Sequence, residues 1–223
     1  HVFFFFHFGA LRHIILTFAL RNCENMNRIT AYIRHSLQEI YPPEEIKALS
    51  MLICCDMLGL DALDIYMGKD IILSECKQRE LENIIFRLQK NEPIQYIRGF
   101  AEFCGRNFKV ASGVLIPRPE TAELVELIVK ENPNARRLLD IGTGSGCIAI
   151  SLDKKLPDVA VEAWDISEEA LSIACKNNEN LEAGVRFLQR DVLSDDWEKV
   201  PSFDVIVSNP PYIDAQDEHL RQG

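Results

Sequence analysis

The sequence predicts an α/β protein in which a parallel sheet wrapped by helices follows a small all-helical domain and a β-hairpin linker. Three observations predict it. Residues 26–91 repeat apolar side chains at helical spacing. Residues 92–118 change to glycine, aromatic and β-branched residues, the composition of a hairpin. From Ala135 onward, short apolar runs alternate with helix-length segments, as strands joined by helical crossovers do.

The elements follow in order. "NRITAYIRHSLQEIY" carries a stripe of Ile29, Ile33, Leu37 and Ile40. "PPEEIKALSMLICCDMLGL" opens on prolines and two glutamates, suited to a helix start, and ends near Gly59. "SECKQRELENIIFRLQKN" has Ser74 as N-cap and buries Leu81, Ile84, Ile85 and Leu88. A hairpin is expected at about 99–110, after which Pro119 opens the helix "PETAELVELIVKEN". "RRLLDIG", "VAVEAWDI", "VRFLQRD" and "FDVIVSNPP" read as four strands, with helices at "GCIAISLDKKL" and at "SEEALSIACKNNENL", the latter capped by Ser167. Residues 119–223 therefore form the sheet domain. Residues 1–25 are apolar between 2 and 20 but interrupted by His7, Arg12 and His13, and Met26 is the first methionine. They are expected to be an upstream extension rather than a membrane anchor. The chain stops at "HLRQG" soon after the fourth strand, so the sheet is expected to be incomplete at its C-terminal side.

Bulk properties exclude several function classes. The 223 residues are 47% hydrophobic and 26% charged, as in ordinary globular proteins. A net charge of −10 disfavours stable nucleic-acid binding, which needs clustered Lys and Arg. The seven cysteines contain no C-x-x-C pair, so neither a zinc site nor a disulfide framework is supported. They read as small buried hydrophobes of a reducing, cytoplasmic protein, with no metal and no membrane partner expected.

Chemistry concentrates at the strand ends. "LLDIGTGSGCIAI" places Asp140, Gly142, Gly144 and Gly146 at the first strand-to-helix turn, where an open α/β sheet gathers ligands. The spacing is G-x-G-x-G rather than the dinucleotide G-x-G-x-x-G. A carboxylate before the loop would repel a pyrophosphate but suits an ammonium group. Asp165 closes the second strand, where it can accept ribose hydroxyls, and Asp191 closes the third, where it can accept an adenine amino proton. The fourth strand leaves through Asn209, Pro210, Pro211 and Tyr212, a turn too stiff to extend a helix or a ladder. A rigid strand-end turn is the bland account of that run; a held Asn acceptor is the functional one.

Three segments, "EPIQYIRGFAEFCGRNFKVASGVLIPRPETAEL", "LLDIGTGSGCIAISL" and "FDVIVSNPPYI", make the chain resemble class I S-adenosylmethionine-dependent methyltransferases. Within them it resembles the HemK/PrmC family, the N5-glutamine methyltransferases of peptide chain release factors. The resemblance covers about 26–223 and implies a Rossmann-like seven-stranded sheet, of which four strands are visible here. It implies S-adenosyl-L-methionine as cofactor, held by Asp140, Ile141, Gly142, Thr143, Gly144, Gly146, Asp165, Asp191, Val192 and Asn209. It implies catalysis by Asn209, Pro210, Pro211 and Tyr212, with Phe100 and Arg118 joining them toward the substrate, the Gly-Gly-Gln loop of a release factor. The helical domain would recognise that partner. Two positions depart from the family pattern: Ala122 stands where a second acid often follows "RPET", and Val192 where a larger residue often stacks near adenine. Competing readings are an adenine amino-methyltransferase acting on DNA or RNA, a nicotinamide oxidoreductase, and a non-enzymatic adaptor.

Overall fold

The computed structural model describes residues 27–194 and 200–210. The expected extension at 1–25 lies outside them. The chain divides between Pro93 and Ile94 into two compact units.

The first unit is helical. α1 (Arg28–Leu37) starts at Asn27, whose side chain accepts from the Thr30 amide at 2.9 Å, and buries Ile29, Ile33 and Leu37. Ile40 does not join that stripe; it lies past the helix end and is exposed. α2 (Pro43–Met51) has proline in its first turn with Glu44 and Glu45, so the missing amide costs nothing and the acids oppose the helix dipole. It continues as a π-helical turn, Leu52–Met57. α3 (Ala62–Tyr66) is capped by Asp61, a turn that periodicity alone does not announce in five residues. α4 (Glu75–Gln89) has Ser74 as N-cap and buries Leu81, Ile84, Ile85 and Leu88, as its spacing predicts. The Tyr41 hydroxyl donates to the Leu88 carbonyl at 3.0 Å, pinning the α1–α2 turn to the end of α4.

The second unit begins with a short α5 (Ile94–Arg98) and an antiparallel hairpin, β1 (Phe100–Phe103) and β2 (Arg106–Lys109). Its two turn residues, Cys104 and Gly105, both have positive φ (47° and 72°), as a two-residue turn matched to strand twist requires. Ala101 and Val110 pack with Val114 and with Ala170 of the sheet's second helix, so the hairpin is fastened to the sheet domain. α6 (Pro119–Glu131) leads into the sheet strands β3 (Arg137–Ile141), β4 (Ala160–Asp165), β5 (Arg186–Gln189) and β6 (Val205–Ser208). Between them run α7 (Cys147–Lys155) and α8 (Glu168–Asn180).

All four sheet strands are parallel, in the order β5-β4-β3-β6. The chain winds outward from β3 to β5, then returns to the other side of β3. That reversal opens a crevice at the carboxyl ends of β3 and β6. The core is built from Leu138, Val161, Ala163 and Val207 of the strands against Ile148, Ala149, Ile150 and Leu152 of α7 and Val125 and Ile128 of α6. Of the described cysteines, Cys54 and Cys147 are buried with thiols pushed up to about 12 by burial, whereas Cys76 and Cys175 are exposed, against the sequence reading.

One buried polar residue locks these parts. Asn177 of α8 accepts from the Lys109 amide at 2.6 Å and donates to the carbonyls of Lys109 (3.0 Å) and Ser145 (2.8 Å). It thereby joins the hairpin to the loop after β3. Asn177→Ala leaves one buried and two part-buried backbone groups without their partner and is expected to cost about 2–3 kcal/mol. In thermal unfolding that is a fall in Tm of roughly 5–10 °C; a shift under about 1 °C would disprove the role.

Candidate active site at the strand carboxyl ends

The site is assembled on the β3–α7 turn. The amides of Gly142 and Thr143 both donate to the Trp164 carbonyl (2.8 and 3.0 Å), and the Gly144 amide donates to Asp165 Oδ2 at 2.8 Å. The turn is thus fastened to the end of β4. Its glycines have different reasons to be glycine. At Gly146 (φ 79°) a Cβ would meet Ile150 Cδ1 at 3.1 Å and Ala174 Cβ and Phe187 Cζ at 3.2 Å, so α7 must start pressed onto its neighbours. At Gly144 (φ 57°), and at Gly142, a Cβ would meet nothing within 4 Å. That open side lets a ligand reach the main chain.

Asp140 sits at the base of the turn, 1% exposed. Its Oδ2 accepts from the Thr143 hydroxyl at 2.6 Å, while Oδ1 is buried with no hydrogen-bond partner. Burial pushes the carboxyl up from 3.8 to about 6, against the hydrogen bond from Thr143 and the pull of the nearby Ala149 amide, and the nearby Asp165 charge adds to the rise. An orphaned, nearly dry carboxylate oxygen is costly unless a cationic donor completes it. Asp165 also holds the Ser167 amide through Oδ1 at 3.0 Å, which starts α8. Asp191 and Val192 follow β5 at the same edge of the sheet. The Arg190 amide donates to the Asp165 carbonyl at 3.0 Å, and Asp191 Oδ1 accepts from the Leu193 amide at 3.0 Å.

The β6 end joins from the other side. Ile141 and Ser208 are register partners, and the Ser208 hydroxyl donates to the Ile141 carbonyl at 2.9 Å. Asn209, half-buried, comes next; its Nδ2 donates to Thr121 Oγ1 at 3.0 Å. Pro210 is exposed beside it, while Pro211 and Tyr212 lie outside the described residues. Arg118 is exposed at the N-cap of α6, its carbonyl accepting from the Thr121 amide at 3.0 Å. Phe100 lies at the start of β1 under the Arg98 guanidinium, 4.3 Å from the ring centroid, and no hydrogen bond or ring contact among the described residues links it to the glycine turn.

Thr121, Asn177 and Ser208 escaped the sequence reading. The first two had a signal: each stands on a helix stripe otherwise apolar, Thr121 with Val125 and Ile128, Asn177 with Ala170 and Ala174. A polar residue at such a position is either a packing cost or an anchor. Two hollows of about 240 and 210 Å³ lie at the opposite, amino ends of the strands, around Asp204 and around Arg137, and hold none of these residues. The strand-end chemistry identifies the site better than cavity size does. Among the described residues, no group of three or more His, Cys, Asp or Glu is placed to hold a metal ion.

Asp140 gives the site a pH signature. Its folded pKa lies above the ordinary value, so the folded protein binds the proton more tightly than the unfolded chain. The stability this confers is complete below about pH 4 and is lost as pH rises through about 6. Asp140→Asn cannot ionise, and on moving from pH 4 to pH 7.5 it should gain about 2–3 kcal/mol on the ligand-free parent. Parallel Tm–pH curves for the two proteins would refute this. Gly146→Ala should lower stability by about 2–3 kcal/mol through left-handed strain and overpacking, and Gly144→Ala by about 1–2 kcal/mol through strain alone. Equal denaturant midpoints for the two variants would contradict that distinction.

Comparison with known proteins shows the family. Residues 119–222 match the methyltransferase small domain, and residues 29–99 match the PrmC N-terminal domain. The release factor glutamine methyltransferase of Bacteroides thetaiotaomicron is 82% identical over 188 residues, 84% of this chain and 68% of that one. The protein of the same description from Flavobacterium psychrophilum is 40% identical over 183 residues, 80% of this chain and 64% of that one. That of Lactococcus lactis subsp. lactis is 53% identical over 147 residues, 66% of this chain and 53% of that one. The chain therefore spans between about half and two thirds of the length of these relatives. These matches establish that the chain belongs to the HemK/PrmC family of release factor glutamine methyltransferases, within the class I S-adenosylmethionine-dependent fold.

Proposed function

We propose that the whole protein transfers a methyl group from S-adenosylmethionine to the side-chain amide nitrogen (N5) of a glutamine in a peptide chain release factor, in its Gly-Gly-Gln loop. The observation that carries this reading is the Ile141–Ser208 register, which sets Asn209, the residue after Ser208, at the same strand end as the glycine turn. Donor and acceptor sites then share one crevice.

The residues fit the cofactor. Asp140 Oδ1, buried and unpartnered, suits its ammonium group. The open side of Gly142 and Gly144 admits it to the main chain, with Ile141, Thr143 and Gly146 shaping the turn. Asp165 and Asp191, at the next two strand ends, would take its ribose hydroxyls and adenine amino group, with Val192 alongside the ring. When bound, the cofactor supplies an electrophilic methyl on a sulfonium sulfur. An amide nitrogen is a poor nucleophile because its lone pair is delocalised, so orientation is what the protein has to contribute. Asn209 Oδ1 and the Pro210 carbonyl would accept hydrogen bonds from the two amide N–H groups and turn the nitrogen toward the methyl. The adjoining prolines hold those acceptors still, which is preorganisation without a base. As the new bond from nitrogen to the methyl carbon formed, the bond from that carbon to sulfur would break and the amide nitrogen would give up one proton. Pro211, Tyr212, Phe100 and Arg118 would complete the substrate side.

The helical unit, assigned to 26–91, would hold the release factor; its exposed Leu63, Met67 and Ile72 are the kind of surface a partner covers. The hairpin segment 92–118 would link it to the sheet domain at 119–223. A cytoplasmic setting, where release factors work, goes with this reading; among the described residues no helix is long and apolar enough to cross a membrane.

The test is transfer of labelled methyl from S-adenosylmethionine to purified release factor by the full-length protein, beside a factor carrying Asn for the loop glutamine. Label on the normal factor alone is expected, and Asn209→Ala should lower kcat by about 10²–10³-fold. Label on an oligonucleotide, with none on the factor, would replace this reading by amino-methylation of a base.

A further inference from the structure

We propose that Thr121 is the positioning residue of the reaction: its hydroxyl engages Asn209 Nδ2 and so holds the plane of that side chain, leaving Oδ1 for the substrate. This rests on the reading of Asn209 as the acceptor for the glutamine amide. An asparagine side chain is nearly symmetric in shape but opposite in chemistry at its two ends. Turned one way it presents an acceptor to the incoming NH2 group; turned the other way it presents two donors, and the amide is repelled. Proline neighbours fix the backbone of the turn, yet they leave the terminal side-chain torsion broad. Something must therefore hold the plane.

Thr121 is the group placed to do so. Nδ2 of Asn209 donates to its Oγ1 at 3.0 Å, across 88 residues of sequence. Among the described residues no hydrogen bond is made to Oδ1 of Asn209, which is left as the acceptor end. Thr121 itself is buried: it is 7% exposed, in the first turn of α6, with its amide bonded to the Arg118 carbonyl at 3.0 Å. Its stripe partners are Val125 and Ile128. By packing alone a valine would suit that position, so the hydroxyl needs another reason. Holding Asn209 supplies it. The arrangement also gives the "RPET" segment a part in the chemistry without contact with substrate: α6 acts on the reaction through the orientation of one amide.

The test uses full-length protein and purified release factor, with Thr121→Val, Thr121→Ser and Asn209→Ala, and Thr121→Val in the Asn209→Ala background. Thr121→Val keeps the shape and removes the hydroxyl; Thr121→Ser keeps the hydroxyl. The expected result is a fall in kcat of about 10- to 100-fold for Thr121→Val, the scale of a misplaced reacting group. Tm and S-adenosylmethionine affinity should stay within about threefold or a few degrees of the parent, and Thr121→Ser should recover most of the rate. In the Asn209→Ala background Thr121→Val should add nothing, since its effect passes through Asn209. The inference is overturned if Thr121→Val keeps more than half of the parental kcat. It is equally overturned if its loss adds to that of Asn209→Ala, or if Tm and rate fall together and serine recovers neither. A parent protein that methylates no release factor at all would instead remove the proposed function, and this inference with it.

Discussion

β3 has a parallel partner on each side, and the site exists because of the one formed last in sequence, β6. Pairing with β4 fastens the glycine turn, through the Trp164 carbonyl and the Asp165 carboxylate. Pairing with β6 brings Ser208 level with Ile141 and so delivers Asn209 to the same edge. A slip of one residue in that register would turn Val207 from the core to the opposite face and carry Asn209 away from Thr121. Val207 is 6% exposed and packs with the α7 core, so the hydrophobic pattern of β6 enforces the register that the proposed chemistry needs.

Two kinds of polar burial divide the work around that pairing. Asn177 is fully satisfied and acts as a fastener, joining hairpin, helix and glycine turn with three hydrogen bonds. Asp140 is left half-satisfied, with one oxygen on Thr143 and the other on nothing. The first stabilises the fold. The second costs stability when ionised, and the cost is recovered when a cation completes it. Such a group gives a binding site its preference for charge while leaving the ligand-free protein less stable than it could be.

Much of this organisation was legible beforehand. The strand–helix alternation, the caps at Ser74 and Ser167, the glycine turn and the placing of Asp140, Asp165 and Asp191 at strand ends all follow from local patterns, because caps, turns and periodicity are set by residues within a few positions of one another. The failures were also local in kind. Ile40 matched the helical period, but the helix had already ended at Leu37. α3 was too short for periodicity to register. Cys76 and Cys175 face solvent because the helical faces they occupy are polar, which overrides the general tendency of cysteine to be buried.

The sequence by itself determined where the candidate site residues stand: an acid and three glycines after one strand, and Asn-Pro-Pro after another. Chain connectivity and backbone sterics are enough to say that much. Only the tertiary structure decided their relations. That β6 adds beside β3 rather than beyond β5, that Asp140 keeps one oxygen without a partner, and that Thr121 meets Asn209 across 88 positions are all consequences of long-range packing. No window of sequence contains both partners of such a contact, and the hydrogen bond between them exists only because the core has already fixed the helix and the strand on which they stand.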